Sequence, residues 1–349
     1  MHFTELDTPA LVVDLDVLER NIANLQVACD RIGIGLPVHT KTHKAPQIAR
    51  MQVAAGGVGI VCQKLGEAEA MADGGLQDIL IPYNLVGRPK LERLSRLVRS
   101  ERATITVAAD SVDTVRGLSQ QAAQDGCRFR VIVEMDTGGG RCGTQSPRQT
   151  VELARCIDSL PGLEFWGVMT YPSHEGARPF LDEVRHLAHA DGLPLRIVSG
   201  GGTGSEEISK SLGCTETRIG SYAWEGMTRV GRREDLNPQR CPLRLVVTVV
   251  STSRPGQIIV DAGQKAFTRY PPVPYGYCLE HPEIFLRGMS VEHGHVDVSA
   301  SAHRFRVGEV LSFIPLHGGM TTNLHDWLYV ARDGQVVDTW RVAGRGRGQ

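Results

Sequence analysis

The chain has 349 residues, enough for two domains or for one large α/β barrel with an addition. Its 38 Lys and Arg balance 39 Asp and Glu, and no basic run is present, so nucleic acid is a poor candidate partner. No apolar stretch reaches the length of a membrane span, and the first residues lack a signal-peptide pattern. Eight scattered cysteines form no CxxC pair. We therefore expect a cytoplasmic protein with reduced thiols.

Short apolar runs alternate with amphipathic stretches along the first two thirds of the chain. The runs are rich in Val and Ile, as in parallel strands buried on both faces. In chain order they are ALVVDL (10–15), LPVHTKT (36–42), GVGIVCQ (57–63), DILIPYN (78–84), TITVAAD (104–110), RVIVEMD (130–136), EFWGVMTY (164–171), PLRIVSGGG (194–202) and TRIGSY (217–222). With about eight such units, residues 1–225 are predicted to form a (β/α)₈ barrel of the TIM type.

Residues 226–349 have a different pattern. Short β-prone segments are separated by Gly, Pro and Asp-Gly turns, with hardly any helical periodicity. The segment ARDGQVVDTW carries a hairpin signal, because Asp-Gly stands between two β-prone runs. This part of the chain is predicted to be a separate all-β domain.

The stretch HTKTHKAP (39–46) follows one of the predicted barrel strands. Barrel enzymes place their chemistry at the C-terminal ends of strands. If LPVHT is a strand, His39 and Lys41 share one face and Thr40 and Thr42 the other, so either Lys41 or Thr40 points into the barrel mouth. His43 and Lys44 are then expected beyond the strand, at the mouth. A lysine inside a barrel is costly unless it is neutral or paired, and a neutral amine is what Schiff-base chemistry requires. The alternative for this stretch is a solvated basic loop, and we expect Lys44 to be a solvated charge.

Three further strand ends carry candidate binding residues. VSGGGTGS (198–205) could hold a phosphate on its backbone N–H groups, or it could be a plain strand-to-helix turn. In VEMDTGGGRCGT (133–144), Arg141 suits an anionic or phenolate oxygen, or it lies in a surface loop. In TRIGSYAW (217–224), Arg218 needs an acceptor, either a cofactor or a structural ion pair. A lysine, a phosphate cup and two arginines together describe pyridoxal 5′-phosphate (PLP) bound to a barrel.

These motifs resemble the fold-type III PLP enzymes, the alanine racemase-like class. Within that class they are similar to the D-threonine aldolase and D-serine dehydratase family. The segments that carry the resemblance are TPALVVDLDVLERNI, HTKTHKAP, DTGGGRCG, VSGGGTGS and TRIGSY, followed by DAGQKAFT, VEHGHV and NLHDWLYVARDGQVVDTW. The resemblance covers nearly the whole chain. It implies an alanine racemase-like barrel, a C-terminal β-domain that covers the active site, and a homodimer.

The resemblance also assigns roles to individual residues. Lys41 carries PLP as a Schiff base, Arg141 lies near the phenolic oxygen, and Arg218 faces the pyridine nitrogen. Tyr171 and His174 lie near the substrate. The remaining cofactor-binding residues are Ser199, Gly201, Gly202, Thr203, Gly204, Gly220, Ser221 and Tyr222.

One position departs from the family pattern. Members bind a divalent metal (Mn, Mg or Zn) through a His-x-Cys or His-x-Asp pair, but this chain has His317 and then Gly319. Glycine offers no side-chain ligand, and a lone imidazole holds a divalent ion poorly. Either another residue completes the site or the metal is weak or absent. Candidates for the missing ligand are Asp326, Glu292 and His293.

The family cleaves Cα–Cβ of β-hydroxy D-amino acids or eliminates their β-hydroxyl group. Elimination benefits strongly from a Lewis acid, whereas retro-aldol cleavage needs a base on the β-hydroxyl. With a metal ligand missing we favour the aldolase, with His174 or His317 as the base. The alternatives are dehydration of D-serine or 3-hydroxy-D-aspartate, and racemisation or epimerisation. A non-catalytic PLP carrier is disfavoured because those relatives consist of the barrel alone. The side chain accepted at Cβ is left open.

Overall fold

The computed structural model describes residues 1–226, 236–271 and 274–349, and it contains two compact units. One, the barrel unit, comprises Asn24–Lys41, Pro46–Gly220 and Arg347–Gln349. The other, the sheet unit, comprises Met1–Ala23, Thr42–Ala45 and Ser221–Gly346. Within the described residues, no helix is both long and apolar enough to cross a membrane. All eight cysteines are free thiols.

The barrel unit contains eight parallel strands in sequential order. They are β2 (Pro37–His39), β3 (Gly59–Val61), β4 (Asp78–Ile81), β5 (Thr104–Ala109), β6 (Phe129–Met135), β7 (Leu163–Thr170), β8 (Ile197–Gly201) and β9 (Glu216–Arg218). The His39 N–H donates to the carbonyl of Ile219 at 3.0 Å, and Thr217 N–H donates to that of Gly35 at 2.9 Å. These bonds join the last strand to the first. The predicted (β/α)₈ barrel is confirmed.

A helix precedes each barrel strand along the chain. These helices are α1 (Leu15–Ile32), α2 (Pro46–Ala54), α3 (Leu65–Asp73), α4 (Arg88–Arg99), α5 (Val112–Asp125), α6 (Pro147–Ser159), α7 (Arg178–Ala190) and α8 (Glu206–Ser211). Serine side chains begin two of them, because Ser111 accepts from the Thr114 N–H and Ser146 from the Gln149 N–H. Gly126 ends α5 in the left-handed conformation, with φ of 63°.

The interior of the barrel is packed with apolar side chains from its strands. Val61, Leu80, Ala108, Ile132 and Met169 form one buried cluster. Such a filled core gives a rigid support on which the residues at the strand ends are held.

The sheet unit contains a nine-stranded, mostly antiparallel sheet in the order β11-β14-β13-β12-β15-β10-β1-β16-β17. Its elements are β1 (Ala10–Asp14), β10 (Leu243–Arg254), β11 (Gln257–Val260), β12 (Gly276–Cys278), β13 (Phe285–Met289), β14 (Gly294–Asp297), β15 (Val310–Pro315), α9 (Gly318–Thr322), β16 (Trp327–Arg332) and β17 (Gln335–Arg341). The predicted Asp-Gly hairpin joins β16 to β17, with Asp333 and Gly334 at φ of 47° and 78°. The β-rich C-terminal region is confirmed.

The prediction that the first apolar run is a barrel strand is wrong. Strand β1 pairs antiparallel with β10 and parallel with β16, so it belongs to the sheet unit. Four of its five residues are buried. A strand buried on both faces gives the same continuous apolar run in either kind of sheet, so the sequence pattern does not distinguish them. Whether the chain also divides at residue 225 into separately folding domains stays a prediction.

Candidate active site

Lys41 follows the short strand β2 in a single turn of 3₁₀ helix, Thr40–Thr42. The buried Thr40 hydroxyl donates to a carbonyl of β3 at 3.0 Å. The His39 ring lies 3.2 Å from the side-chain oxygen of Gln63. Strand geometry therefore ends at His39, and the expectation that strand alternation alone orients Lys41 is wrong. The turn sets its direction instead.

The Lys41 amine has a pKa below its usual value. The main cause is partial desolvation by the surrounding protein, although the residue itself is exposed to solvent. The guanidinium groups of Arg141 and Arg218 lower the pKa further by repulsion. A lowered pKa raises the fraction of neutral amine near pH 7, and the neutral amine is the nucleophilic form.

The other two basic residues of this stretch, His43 and Lys44, belong to the sheet unit. His43 is buried in the sheet unit, with its ring edge-to-face against Trp224 at 6.4 Å between centroids. The Lys44 ammonium donates to the side-chain oxygen of Asn323 at 2.8 Å, so it is held in place and not freely solvated. Of the two lysines in HTKTHKAP, Lys41 belongs to the barrel unit and Lys44 to the sheet unit.

Arg141, on the loop after β6, pairs with a carboxylate of that strand. Its Nη2 lies 3.1 Å from Oε1 of Glu134, and its guanidinium lies 5.0 Å from the centroid of the Tyr171 ring. Glu134 is buried, and within the described ranges its other oxygen, Oε2, has no hydrogen-bond partner. A buried carboxylate strongly favours a fixed cation, so Glu134 restrains Arg141 at the C-terminal ends of the strands.

The loop that carries Arg141 is shaped by Asp136. Its Oδ1 accepts the backbone N–H groups of Gly138 and Gly140 at 3.0 and 3.1 Å. These two bonds hold the pKa of the Asp136 carboxyl below its usual range. A side chain at Gly143 would collide with the backbone of Asp136. The glycines of DTGGGRCG therefore allow a tight loop at this point.

Arg218, at the end of β9, is 6% exposed. Its Nη2 donates to the carbonyl of Thr170 at 2.7 Å, and its Nη1 donates to the Ser199 hydroxyl at 2.5 Å. That hydroxyl in turn donates to the Glu216 carboxylate. Burial lowers the pKa of Arg218 and raises that of Glu216 from their ordinary values. The relay from Glu216 through Ser199 fixes the guanidinium and partly balances its charge.

The glycine-rich loop continues from β8 and rests on a cluster of hydroxyl groups. The Gly201 N–H donates to the Ser173 hydroxyl at 2.9 Å, and Ser209 donates to the same oxygen at 2.9 Å. Gly202 and Gly204 have φ of 136° and 71°, a conformation that favours glycine. The loop thus turns without side chains at its glycines, which lets an anion approach its backbone.

Replacing Gly200 by alanine should destabilise this region. An added Cβ would lie 2.6 Å from the Ser173 hydroxyl and 2.7 Å from that of Ser209. Overpacking of this kind costs about 1–3 kcal/mol, so we expect a lower thermal unfolding temperature in Gly200→Ala. The control is Gly117→Ala in α5, where the nearest atom is 3.5 Å away and alanine favours the helix. Equal unfolding temperatures for the two variants would contradict the tight packing at Gly200.

Tyr171 and His174 follow β7. Tyr171 is 42% exposed and contacts Arg141 through its ring. His174 Nε2 lies 2.7 Å from the carbonyl oxygen of Thr137. Because a carbonyl only accepts, Nε2 carries the proton, and in the neutral ring Nδ1 is then the basic nitrogen.

His317 belongs to the sheet unit and begins α9. Its Nδ1 accepts the Met320 N–H at 3.1 Å, and its ring lies edge-to-face with Tyr270 at 5.1 Å. A neutral imidazole that accepts through Nδ1 carries its proton on Nε2. In this conformation His317 therefore has no second lone pair to offer through Nε2.

Comparison with known proteins places the chain in a family. Residues 13–227 match the model of the alanine racemase N-terminal domain, and residues 242–331 match that of a putative serine dehydratase domain. The chain is 36% identical to a D-threonine aldolase from Arthrobacter sp. over 98% of this chain and 93% of the relative. The chain belongs to the D-threonine aldolase and D-serine dehydratase family.

Two further members support this assignment. The chain is 34% identical to a 3-hydroxy-D-aspartate aldolase from Paracoccus denitrificans, over 100% of this chain and 94% of the relative. A crystal structure of D-threonine aldolase from Filomicrobium marinum superposes with a TM-score of 0.89 at 30% identity, covering 99% of this chain and 97% of that one. The alanine racemase-like fold is confirmed at full length.

The residues predicted to bind the cofactor are divided between the two units. Lys41, Arg141, Ser199, Arg218, Gly220 and residues 201–204 belong to the barrel unit. Ser221 and Tyr222 belong to the sheet unit. They lie in a one-turn 3₁₀ helix, where Tyr222 is buried. The barrel unit alone thus brings together the lysine, both arginines and the glycine loop.

The family's metal pair does not fit the residues of this chain. Gly319 supplies no side chain, and His317 is oriented as a donor through Nε2. The carboxylates of Glu292 and Asp326 are ion-paired with Lys265 and Arg345. In the part of the chain that is described, His317 belongs to no group of three potential metal ligands.

Four residues that shape the site are not among those predicted from the sequence. Two are the carboxylates Glu134 and Glu216, and two are the hydroxyls Ser173 and Ser209. A charged residue inside the Val-rich run RVIVEMD was the available signal for Glu134, because a carboxylate in a doubly buried strand needs a partner. No comparable signal marked the serines.

Proposed function

We propose that the chain is a PLP-dependent lyase that cleaves β-hydroxy D-amino acids into glycine, or another amino acid, and an aldehyde. Its relatives of 36% and 34% identity, matched over nearly their whole length, are named as D-threonine and 3-hydroxy-D-aspartate aldolases. The observation that carries the proposal is this full-length match, and the Lys41 amine, whose pKa is lowered by desolvation and by Arg141 and Arg218, supports it.

The residues of the barrel unit fit PLP. Lys41 would hold it through its amine, and the glycines of residues 201–204 would let its phosphate approach the backbone. A Cβ at Gly201 would lie 3.3 Å from Nη2 of Arg218, so glycine leaves space beside that guanidinium. PLP supplies an electron sink for the charge that develops at Cα.

The two arginines would contact different polar atoms of the ring. Arg141, restrained by Glu134, would stabilise the phenolic oxygen. Arg218, held by Ser199 and Thr170, would donate to the pyridine nitrogen. Because both guanidinium groups are anchored by other residues, they need little reorganisation during the reaction.

His174 is our candidate for the base that takes the β-hydroxyl proton. Its Nε2 is committed to Thr137, and this leaves Nδ1 basic. His317 accepts the Met320 N–H through Nδ1, so the basic nitrogen of its neutral ring is already engaged. We expect His174→Gln to lower kcat/KM by about 10²–10⁴-fold and His317→Gln by less than about tenfold, both with retained PLP absorbance. The reverse order of effects would reassign the base.

We propose that cleavage proceeds without a metal held by the family's ligand pair. Exhaustive EDTA treatment followed by dialysis should leave at least about half of the aldolase activity, because no step assigned above uses His317 as a ligand. The variant for comparison is Gly319→Asp, which places a carboxylate where family members have their second metal ligand. Loss of activity on chelation, with recovery on adding Mn²⁺ to the unmodified protein, would refute this point.

Dehydration is the second candidate, supported by the match of residues 242–331 to a putative serine dehydratase domain. It requires expulsion of hydroxide, which a Lewis acid assists. Release of pyruvate and ammonia from D-serine, without any aldol cleavage, would favour it. Racemisation or epimerisation needs a second acid–base residue, and deuterium uptake at Cα in D₂O without bond cleavage would reveal it.

The assembly and location of the enzyme are also proposals. The family resemblance supports a homodimer, and the near-neutral charge and free cysteines support a cytoplasmic protein. Light scattering on purified protein should give a mass close to two chains. A fully active monomer would contradict the proposed homodimer.

Turnover of D-phenylserine tests the proposed reaction class. We expect equal amounts of glycine and benzaldehyde from D-phenylserine and none from its L-enantiomer, with PLP present. The benzaldehyde is followed by its absorbance and the glycine by amino-acid analysis. Cleavage of the L-enantiomer at a similar rate would overturn the proposed stereochemistry.

A further inference from the structure

A second cluster of potential metal ligands lies in the sheet unit, apart from the residues assigned to PLP. It consists of His281, between β12 and β13, and of His303 and Glu309, between β14 and β15. Their candidate ligand atoms all lie within 4.8 Å of one another. Two loops that are distant in sequence therefore meet at three groups able to bind a metal.

Aromatic packing orients the two imidazoles. The rings of His281 and His303 are stacked, with centroids 4.6 Å apart and planes 29° from parallel. Phe305 stands edge-on to both, at 5.0 Å from the His281 ring and 4.6 Å from the His303 ring. This packing limits the rotamers that the two histidines can adopt and lowers the entropy cost of bringing them to one ion.

Glu309 is also held in place. Its Oε1 lies 2.8 Å from Nε2 of His303, and its Oε2 accepts the backbone N–H of Arg306 at 3.0 Å. Glu283 lies 3.5 Å from Nδ1 of His281. Two carboxylates therefore flank two imidazoles, and two stacked imidazolium cations would repel each other. A divalent cation bound by neutral imidazoles balances this charge arrangement.

We propose that His281, His303 and Glu309 form a binding site for a borderline transition-metal ion such as Zn²⁺. Two imidazole nitrogens and one carboxylate oxygen are a common zinc donor set. Tetrahedral zinc, with bonds of about 2.0–2.1 Å, needs ligand atoms roughly 3.3–3.5 Å apart. The candidate ligand atoms, all within 4.8 Å of one another, would have to move closer to reach that spacing, and His303, with 41% of its side chain exposed, gives the ion access from solvent.

The bound ion links the β12–β13 loop to the β14–β15 connection. Its effect is therefore on the stability of the sheet unit, and it does not depend on the reaction catalysed. The proposed zinc site is also separate from His317, which is the N-cap residue of α9. Magnesium prefers oxygen ligands, so it should compete poorly with zinc for this donor set.

Zinc titration of the EDTA-stripped full-length protein tests the site by calorimetry. The unmodified protein should bind one equivalent that is lost in the double variant His281→Ala/His303→Ala and weakened about tenfold or more in Glu309→Gln. His317→Ala and His189→Ala, an exposed histidine of α7, should keep that equivalent. Zinc should raise the unfolding temperature of the unmodified protein and leave that of the double variant unchanged.

Competition by protons gives an independent readout. Metal binding requires neutral imidazoles, so zinc affinity should fall as the pH is lowered from 7.5 to 5.5. Stoichiometric zinc binding by a folded double variant would overturn the proposal. So would an unmodified protein that binds no zinc at pH 7.5. In either case the cluster is a set of histidine–glutamate ion pairs only.

Discussion

Replacing Lys41 with alanine should abolish aldolase activity, by about 10⁴-fold or more, and remove the absorbance of a protein-bound Schiff base. Desolvation and the two guanidinium groups lower the amine's pKa and so raise its neutral fraction, and Lys41 is the lysine of the turn that follows β2. The measurement is a visible absorbance spectrum with added PLP, together with borohydride reduction and mass spectrometry of the labelled peptide.

Lys44→Ala is the matched control, since Lys44 lies three residues later and belongs to the sheet unit. Its ammonium is bonded to Asn323, so its loss should leave both the absorbance and the labelled peptide unchanged. A reducible Schiff base that persists in Lys41→Ala would show that another lysine carries the cofactor.

Replacing Arg218 with alanine should lower kcat by about 10²–10³-fold and reduce thermal stability. The change removes a buried cation that donates to Ser199 and Thr170, and it leaves the buried Glu216 with the Ser199 hydroxyl alone. The absorbance maximum of bound PLP should shift, because the pyridine nitrogen loses its donor. Steady-state kinetics and spectra on the same sample check both effects.

Arg196→Ala is the control for removing a cation from the barrel unit. Arg196 contacts the Trp166 ring and a backbone carbonyl of β7, and 45% of its side chain is exposed. The activity and the absorbance spectrum of Arg196→Ala should stay near those of the unmodified enzyme. If Arg218→Ala retains kcat within about tenfold and an unshifted spectrum, Arg218 acts only as a structural residue.

The barrel was predictable because its strands repeat a simple pattern. Each apolar run is followed by an amphipathic stretch, and that alternation admits few architectures. The first run, residues 10–15, was misassigned because burial on both faces looks alike in a parallel barrel and in the centre of an antiparallel sheet. Only its pairing partners, β10 and β16, distinguish the two cases.

The candidate site was predictable in its motifs and not in its connections. The lysine, the arginines and the glycine loop follow predicted strand ends, and this placed them together. The serines that link them come from other strand ends: Ser199 connects Glu216 to Arg218, and Ser173 connects Ser209 to the glycine loop. Sequence spacing gives no sign of such contacts.

Histidine roles were likewise hidden from the sequence. His174 and His317 were both candidates for the base, and their different hydrogen bonds separate them. His174 donates to the Thr137 carbonyl, whereas His317 accepts from the Met320 N–H. The tautomer of each ring follows from its partner, and the partner is set by the local fold.

The central claim is that this enzyme breaks Cα–Cβ of a β-hydroxy D-amino acid. D-Threonine tests it most directly, because one substrate gives different products in the competing reactions. Purified protein with PLP and D-threonine should yield glycine and acetaldehyde in equal amounts, quantified by proton NMR. Formation of 2-oxobutanoate and ammonia in their place would contradict the account.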